Sequence, residues 1–204
     1  MLSVVTSPSA ARVLRSPPGR YALTRVARAD PLAVLGTRWA ESECWDLKWR
    51  GFFRLRPELV ARAPLRFLDW TIDGQPLRDR LAFANGRVCE NVTFLTEGSY
   101  GDPFAIESLR ALLGENTSGM DPWVQYDDGR AGVCCSASGA GGLDCGAVST
   151  DVQVMETTVE WRNVTYQDGL TGEVGGPDAP AFTLRFDRTQ YETTVRALLE
   201  EWST

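Results

Sequence analysis

The sequence predicts an α+β fold: a mainly antiparallel β-sheet with two main helices packed on one face. Three observations carry that expectation. Alternating, strand-like segments outnumber helical ones. The two helical segments stand apart in the chain, with no repeated βαβ alternation. Asp-Gly turns follow the second strand and separate a later pair. At 204 residues the chain suits one domain, able to bury roughly two thirds of its unfolded surface without a metal or disulfide staple.

Residues 21–26 alternate weakly and give a first strand. Over 45–56, Leu47, Trp49, Gly51, Phe53 and Leu55 fall on one face and Lys48, Arg50, Arg54 and Arg56 on the other, a strand pattern. Residues 56–60 then read as one helical turn before Pro64. Residues 65–72 form an aromatic-rich strand closed by Asp73-Gly74, and 88–95 a third, with Val88, Val92 and Phe94 inward. Asp102 as N-cap, Pro103 at the first position and Gly114 past the end delimit a helix over 103–113. Its apolar stripe is Phe104, Leu109, Leu112 and Leu113. Residues 123–126 and 130–136 flank Asp127-Asp128-Gly129 as a hairpin, and 147–155 with 158–166 make the strongest strand pair. A strand over 181–186 leads to a final helix capped by Asp187, with Gln190 at capping-box spacing. Tyr191, Val195, Leu198, Leu199 and Trp202 form its stripe.

The chain contains no histidine. That excludes Ser-His-Asp and Cys-His catalysis and every His-containing zinc site. Net charge is −6, but residues 1–89 carry 15 basic against 8 acidic side chains (+7) and residues 90–204 carry 6 against 19 (−13). Overall acidity argues against nucleic acid as a partner, since phosphates need a basic surface. No apolar run is long enough to span a membrane. Residues 1–29 hold five arginines and no acid and read as a flexible Arg/Ser-rich N-terminal arm; residues 30–204 read as a single α+β domain. Without a secretory signal, the expected location is the cytoplasm.

Five cysteines, Cys44, Cys89, Cys134, Cys135 and Cys145, are an odd number and point to reduced thiols. Three of them, Cys134, Cys135 and Cys145, surround a glycine-rich loop and are the candidate metal ligands, with zinc as the ion. Adjacent strand residues face opposite sides, so small buried hydrophobes are the competing account of Cys134 and Cys135. The loop lacks a phosphate-cradle signature, and the acids of the second half form no glycosidase pair. Trp45, Trp49, Arg50 and Arg54 lie in a run of aromatics and cations and are the partner-binding candidates.

Three segments carry a family resemblance: Phe67-Leu-Asp-Trp-Thr-Ile-Asp-Gly-Gln-Pro-Leu-Arg78, Cys145-Gly-Ala-Val148 and Phe186-Asp-Arg-Thr-Gln-Tyr191. From about Asp30 onward the chain resembles an uncharacterised actinobacterial family, sometimes labelled oxidoreductase. The resemblance implies a Cys-x-x-Cys stretch running into Gly-Cys-Gly-Ala, then a Val-x-Trp strand (here Val159-Glu160-Trp161) and a Phe-Asp-x-x-Gln-Tyr helix start. In this chain Cys134-Cys135 stands for the spaced pair, and Leu143-Asp144 precedes Cys145. No dinucleotide fingerprint accompanies the label.

The functional expectation is a non-enzymatic, macromolecule-binding protein, immunity-like or another interaction protein, whose partner is a basic protein. No catalytic residue and no cofactor are expected. The alternative is a zinc or thiol-redox protein centred on Cys134, Cys135 and Cys145.

Overall fold

The computed structural model describes residues 31–42, 45–50, 56–61, 63–81, 92–119, 121–135, 143, 146–176 and 179–204; for 45–50 and 56–61 it describes the backbone. The fold is α+β and mostly antiparallel. Among the described residues, nine strands and three helices follow in the order β1 (Leu35–Ser42), β2 (Trp45–Arg50), β3 (Arg56–Ala61), β4 (Leu65–Ile72), β5 (Gln75–Pro76), α1 (Leu77–Arg80), α2 (Pro103–Leu112), β6 (Ala131–Cys135), β7 (Ala147–Val154), β8 (Thr158–Gln167), β9 (Phe182–Asp187) and α3 (Arg188–Trp202).

Strands β6-β7-β8-β9 form one sheet and β1-β4-β5 a second, while β2 and β3 pair as a two-stranded ribbon. Short links close the two sheets round a shared core. Ala33 N–H donates to the Arg185 carbonyl (2.7 Å), joining the lead-in of β1 to β9. On the far side, Leu68 and Glu97 N–H groups bond across β4 and the 95–97 segment, and Val92 exchanges bonds with Cys135 of β6. Such links cover edges that would otherwise offer unpaired backbone groups. Trp70 of β4 meets Trp161 of β8 edge-on across the interior, ring centroids 6.1 Å apart.

Both main helices start as their sequences dictate. Asp102 accepts from the Phe104 N–H and Asp187 from the Gln190 N–H, each at 2.9 Å, and Pro103 opens α2. Gly114 takes the left-handed conformation (φ 82°) that ends α2. The Gln190 side chain does not complete a capping box. Its amide instead bonds both backbone groups of Leu35, donating to the carbonyl at 2.7 Å and accepting from the N–H at 3.2 Å, so it extends the edge of β1 as a strand would.

The stripe of α3 is core: Tyr191, Val195, Leu198 and Trp202 are buried and Leu199 half-buried. Trp161 donates to the Tyr191 hydroxyl (2.8 Å), which donates to the Leu112 carbonyl at the end of α2 (2.7 Å). One chain of bonds therefore ties sheet, α3 and α2 together. Trp202 donates to Ser99 (3.0 Å), stacks on Tyr100 (4.8 Å), and its carbonyl accepts from Gly101, satisfying an orphan group of the last turn.

Several expectations need correction. Residues 45–56 are not one strand: β2 ends at Arg50 and β3 begins at Arg56, directly opposite it. Residues 56–60 are strand, not a helical turn; Pro57 suits the ribbon, whose strands each have one partner among the described residues. The described part of 88–95 makes one isolated bridge, at Val92, instead of a continuous strand, and Thr96 just beyond it makes another; Val92 and Phe94 are nonetheless buried. The stripe of α2 is rotated: Ala105, Ser108, Leu109, Ala111 and Leu112 are buried, and Phe104 and Leu113 only half-buried. The strand expected over 21–26 and the N-terminal arm of 1–29 lie outside the described residues. Among those described, no helix is long and apolar enough to cross a membrane.

Candidate functional site

An open cleft of about 390 Å³ lies where three separated segments meet: the end of α2 with residues 114–118, the hairpin 125–129, and residues 151–153 of β7. Glu115, Asp127, Asp128 and Asp151 line it, and no lysine or arginine among the described residues does. Gln125 fixes its floor. That side chain accepts from the Thr117 N–H (2.7 Å) and donates to the Gly129 carbonyl (2.9 Å), riveting the loop after α2 to the hairpin.

Behind the rim sits a buried guanidinium. Arg130 donates from Nε to the Ser149 hydroxyl (2.9 Å) and from Nη2 to the carbonyls of Ser149 (2.9 Å) and Asn163 (2.6 Å). Those carbonyls belong to irregular positions. The register shifts between Gly132 and Cys134, between Ser149 and Asp151, and between Trp161 and Val164, in three successive strands, and Asn163 has φ 50°. Bulges leave backbone groups outside the ladder, and Arg130 supplies donors to two of them. Burial holds its pKa below the usual arginine range, opposed by the charges of Asp128 and Asp151.

Gln167 connects this interior to the rim. It accepts from the Ser149 hydroxyl (2.8 Å) and donates to Asp128 (3.0 Å) and to the Gly172 carbonyl (3.2 Å). Asp128 also accepts from the Arg130 N–H (3.1 Å), so both its oxygens are engaged. Tyr126 donates to the Gln167 carbonyl (3.1 Å), and burial lifts its phenol pKa well above the ordinary value. Cations presented to this cleft would meet Asp127, Asp151 and Glu115 on a frame that is already hydrogen-bonded.

Of the candidate metal ligands, Cys134 and Cys135 fall into two different clusters. Cys134 packs in the main core, among Val133, Val148 and Trp161, whereas Cys135 lies in a second cluster with Phe94, Val124, Tyr126 and Leu143. Burial pushes the Cys135 thiol up to about 12, which disfavours its thiolate at neutral pH. Cys145 lies outside the described residues. Among the described residues no group of three Cys, Asp or Glu side chains is arranged to hold a metal ion.

Of the partner-binding candidates, Trp45, Trp49 and Arg50 fall on β2, while Arg54 lies outside the described residues. Trp45 and Trp49 occupy alternate positions opposite Ala61 and Pro57, and Arg50 belongs to the other alternating set.

Sequence reasoning overlooked Asp69. It is fully buried on β4, accepts from Arg78 Nε through Oδ2 (3.0 Å), and leaves Oδ1 without a partner. Arg78 also lies over the Phe67 ring at 4.8 Å. Burial raises the Asp69 pKa, against the lowering pull of Arg78 and Arg38. The one available signal was a carboxylate inside an aromatic strand, nine residues before an arginine.

No protein-family model matches this chain, and no curated protein or solved structure matches it.

Proposed function

We propose that this protein acts in the cytoplasm by binding a basic protein, as an immunity-type inhibitor or a similar interaction module, and not by catalysis. One observation carries the reading: a braced, polar cleft walled by four acidic residues, on the half of the chain whose charge is −13. Such a surface raises the encounter rate with a basic partner and disfavours acidic ones. The bracing through Gln125 and Gln167 lowers the ordering cost of docking.

A test needs no knowledge of the partner. Deca-arginine titrated into isotopically labelled protein is expected to shift the amides of 125–129 and 151–153, and to lose that effect in the D127N/D151N variant. Added salt should weaken it, because exposed charge pairs are screened beyond about 10 Å at 0.1 M. Absence of shifts there, or equal shifts in the variant, would remove the cleft from the reading.

A further inference from the structure

The strand register places the start of the described chain beside the acidic cleft. Ala33 bridges Phe186 of β9 in parallel, Phe186 stands opposite Val159 of β8, and Val159 opposite Val154 of β7. One residue earlier, Leu32 is level with Arg185, which faces Glu160, which faces Gln153, and Gln153 lines the cleft. Three strand spacings of about 4.8 Å separate Leu32 from that wall, a gap of about 14 Å. The whole row lies on the outer face. Ala33, Phe186 and Val159 pack in the core, so their strand neighbours point outward, and Leu32 is 46% exposed. Going further back from Leu32, the chain heads along the strands toward the row of Asp151, a second cleft residue.

Charge favours the same meeting. Residues 12–28 contain Arg12, Arg15, Arg20, Arg25 and Arg28 and no acid. The cleft offers Glu115, Asp127, Asp128 and Asp151. On the strip between, Glu160 is already engaged by Arg162 (2.8 Å) and Arg185 (3.5 Å), so the cleft is the acidic target on this route. Arg28 and Arg25 stand four and seven residues before Leu32. At about 3.3 Å per residue they reach about 13 and 23 Å, and the long arginine side chain closes what remains for Arg28.

We propose that the Arg-rich segment of residues 12–28 docks in the acidic cleft of its own chain, so that a basic partner must displace it. The proposal rests on the cleft being the partner's site and adds a built-in competitor to it. A segment tethered this close has an effective concentration on the order of mM.

The test compares the full chain with its R12Q/R15Q/R20Q/R25Q/R28Q variant, both isotopically labelled, with circular dichroism confirming the fold. With nothing added, the amides of 125–129 and 151–153 are expected to differ between the two at about 20 mM salt and to converge at about 300 mM, as screening sets in. In a D127N/D151N background the same arginine substitutions should leave those amides unmoved. Deca-arginine should bind the variant roughly tenfold more tightly than wild type, because a tethered competitor lowers apparent affinity. Identical cleft amides in wild type and variant overturn the proposal. Differences that grow with protein concentration also overturn it, by assigning the contact to a second chain. Deca-arginine that binds both chains equally at the cleft overturns the proposal and leaves the cleft as the partner's site. Cleft amides that respond to the arginine substitutions but not to deca-arginine support the docking and remove the partner reading instead.

Discussion

Arg130 and Asp69 are the two charged residues that count as buried among those described, and their surroundings differ in kind. Arg130 enters a cage of oxygens: a hydroxyl and two carbonyls, with no carboxylate within ion-pair distance among the described residues. Asp69 has one ionic partner, Arg78, and one bare oxygen. A guanidinium can spread several donors over fixed acceptors, whereas a carboxylate in an aromatic strand has few donors within reach. The first arrangement makes the charge part of the architecture, since bulged carbonyls in two strands depend on it. The second leaves a charge that the fold tolerates. The contrast teaches that burial alone does not rank the importance of a charged residue; the count of satisfied partners does.

The sharpest way to break this contrast is R130M. Methionine fills similar space but leaves the Ser149 and Asn163 carbonyls without donors, as happens when one side of a buried polar network is removed. The expected loss is about 3–5 kcal/mol, or a drop in Tm on the order of 10 °C for a chain of this size. Urea unfolding monitored by tryptophan fluorescence would measure it. A loss under about 1 kcal/mol would mean the carbonyls find other donors and the cage is dispensable. R130K should fall between, keeping the charge but not the planar fork.

R78M comes next. It strands Asp69 without its ionic partner, yet Arg78 itself is partly exposed, with 17% of its side chain accessible, so water reaches one side of the pair. The expected cost at neutral pH is about 2–3 kcal/mol, below the usual range for breaking a fully buried pair. Much of it should return on acidification, as the isolated carboxyl takes up a proton. A cost that stays constant with pH would point to lost packing on Phe67 instead.

How far the sequence showed all this depends on the range of the interactions. The helix α3 was legible because cap and stripe are local: Asp187 sits three residues from Gln190, and the apolar residues recur at helical spacing. The pair β7–β8 was legible for the same reason, through alternation either side of a short turn. β1 was not, since Arg38 and Trp39 are both exposed and blur its alternation. The ribbon was misread because the alternation of 45–56 continues unbroken across the reversal, so that register alone shows Arg56 facing Arg50. Arg130 reads in the sequence only as the first residue of a hairpin strand after Asp127-Asp128-Gly129; its acceptors lie 19 and 33 positions later. The cleft joins three segments between 111 and 153, and no local pattern announces such a meeting. Even Gln190, at capping-box spacing, was claimed by Leu35, 155 residues away.

The smallest expected effect is also the most specific to the comparison: D69N. Asparagine keeps an acceptor for Arg78 and removes the charge, so the loss of a charge-assisted bond is set against relief of burial. The net change at neutral pH should be about 1 kcal/mol or less. Its pH dependence separates the terms. Burial raises the folded pKa of Asp69 above the ordinary value near 3.9. Below that value both folded and unfolded chains carry the proton, and wild type has no charge to bury. As pH rises from there to the folded value, the unfolded chain gives up its proton first, so wild-type stability falls relative to D69N. Above the folded value the difference is constant. Stability of the variant minus that of wild type should therefore increase through this window and then level off, with the other carboxylates cancelling in the subtraction. The opposite slope would show that Arg78 outweighs burial, and Asp69 would then be as well provided for as Arg130.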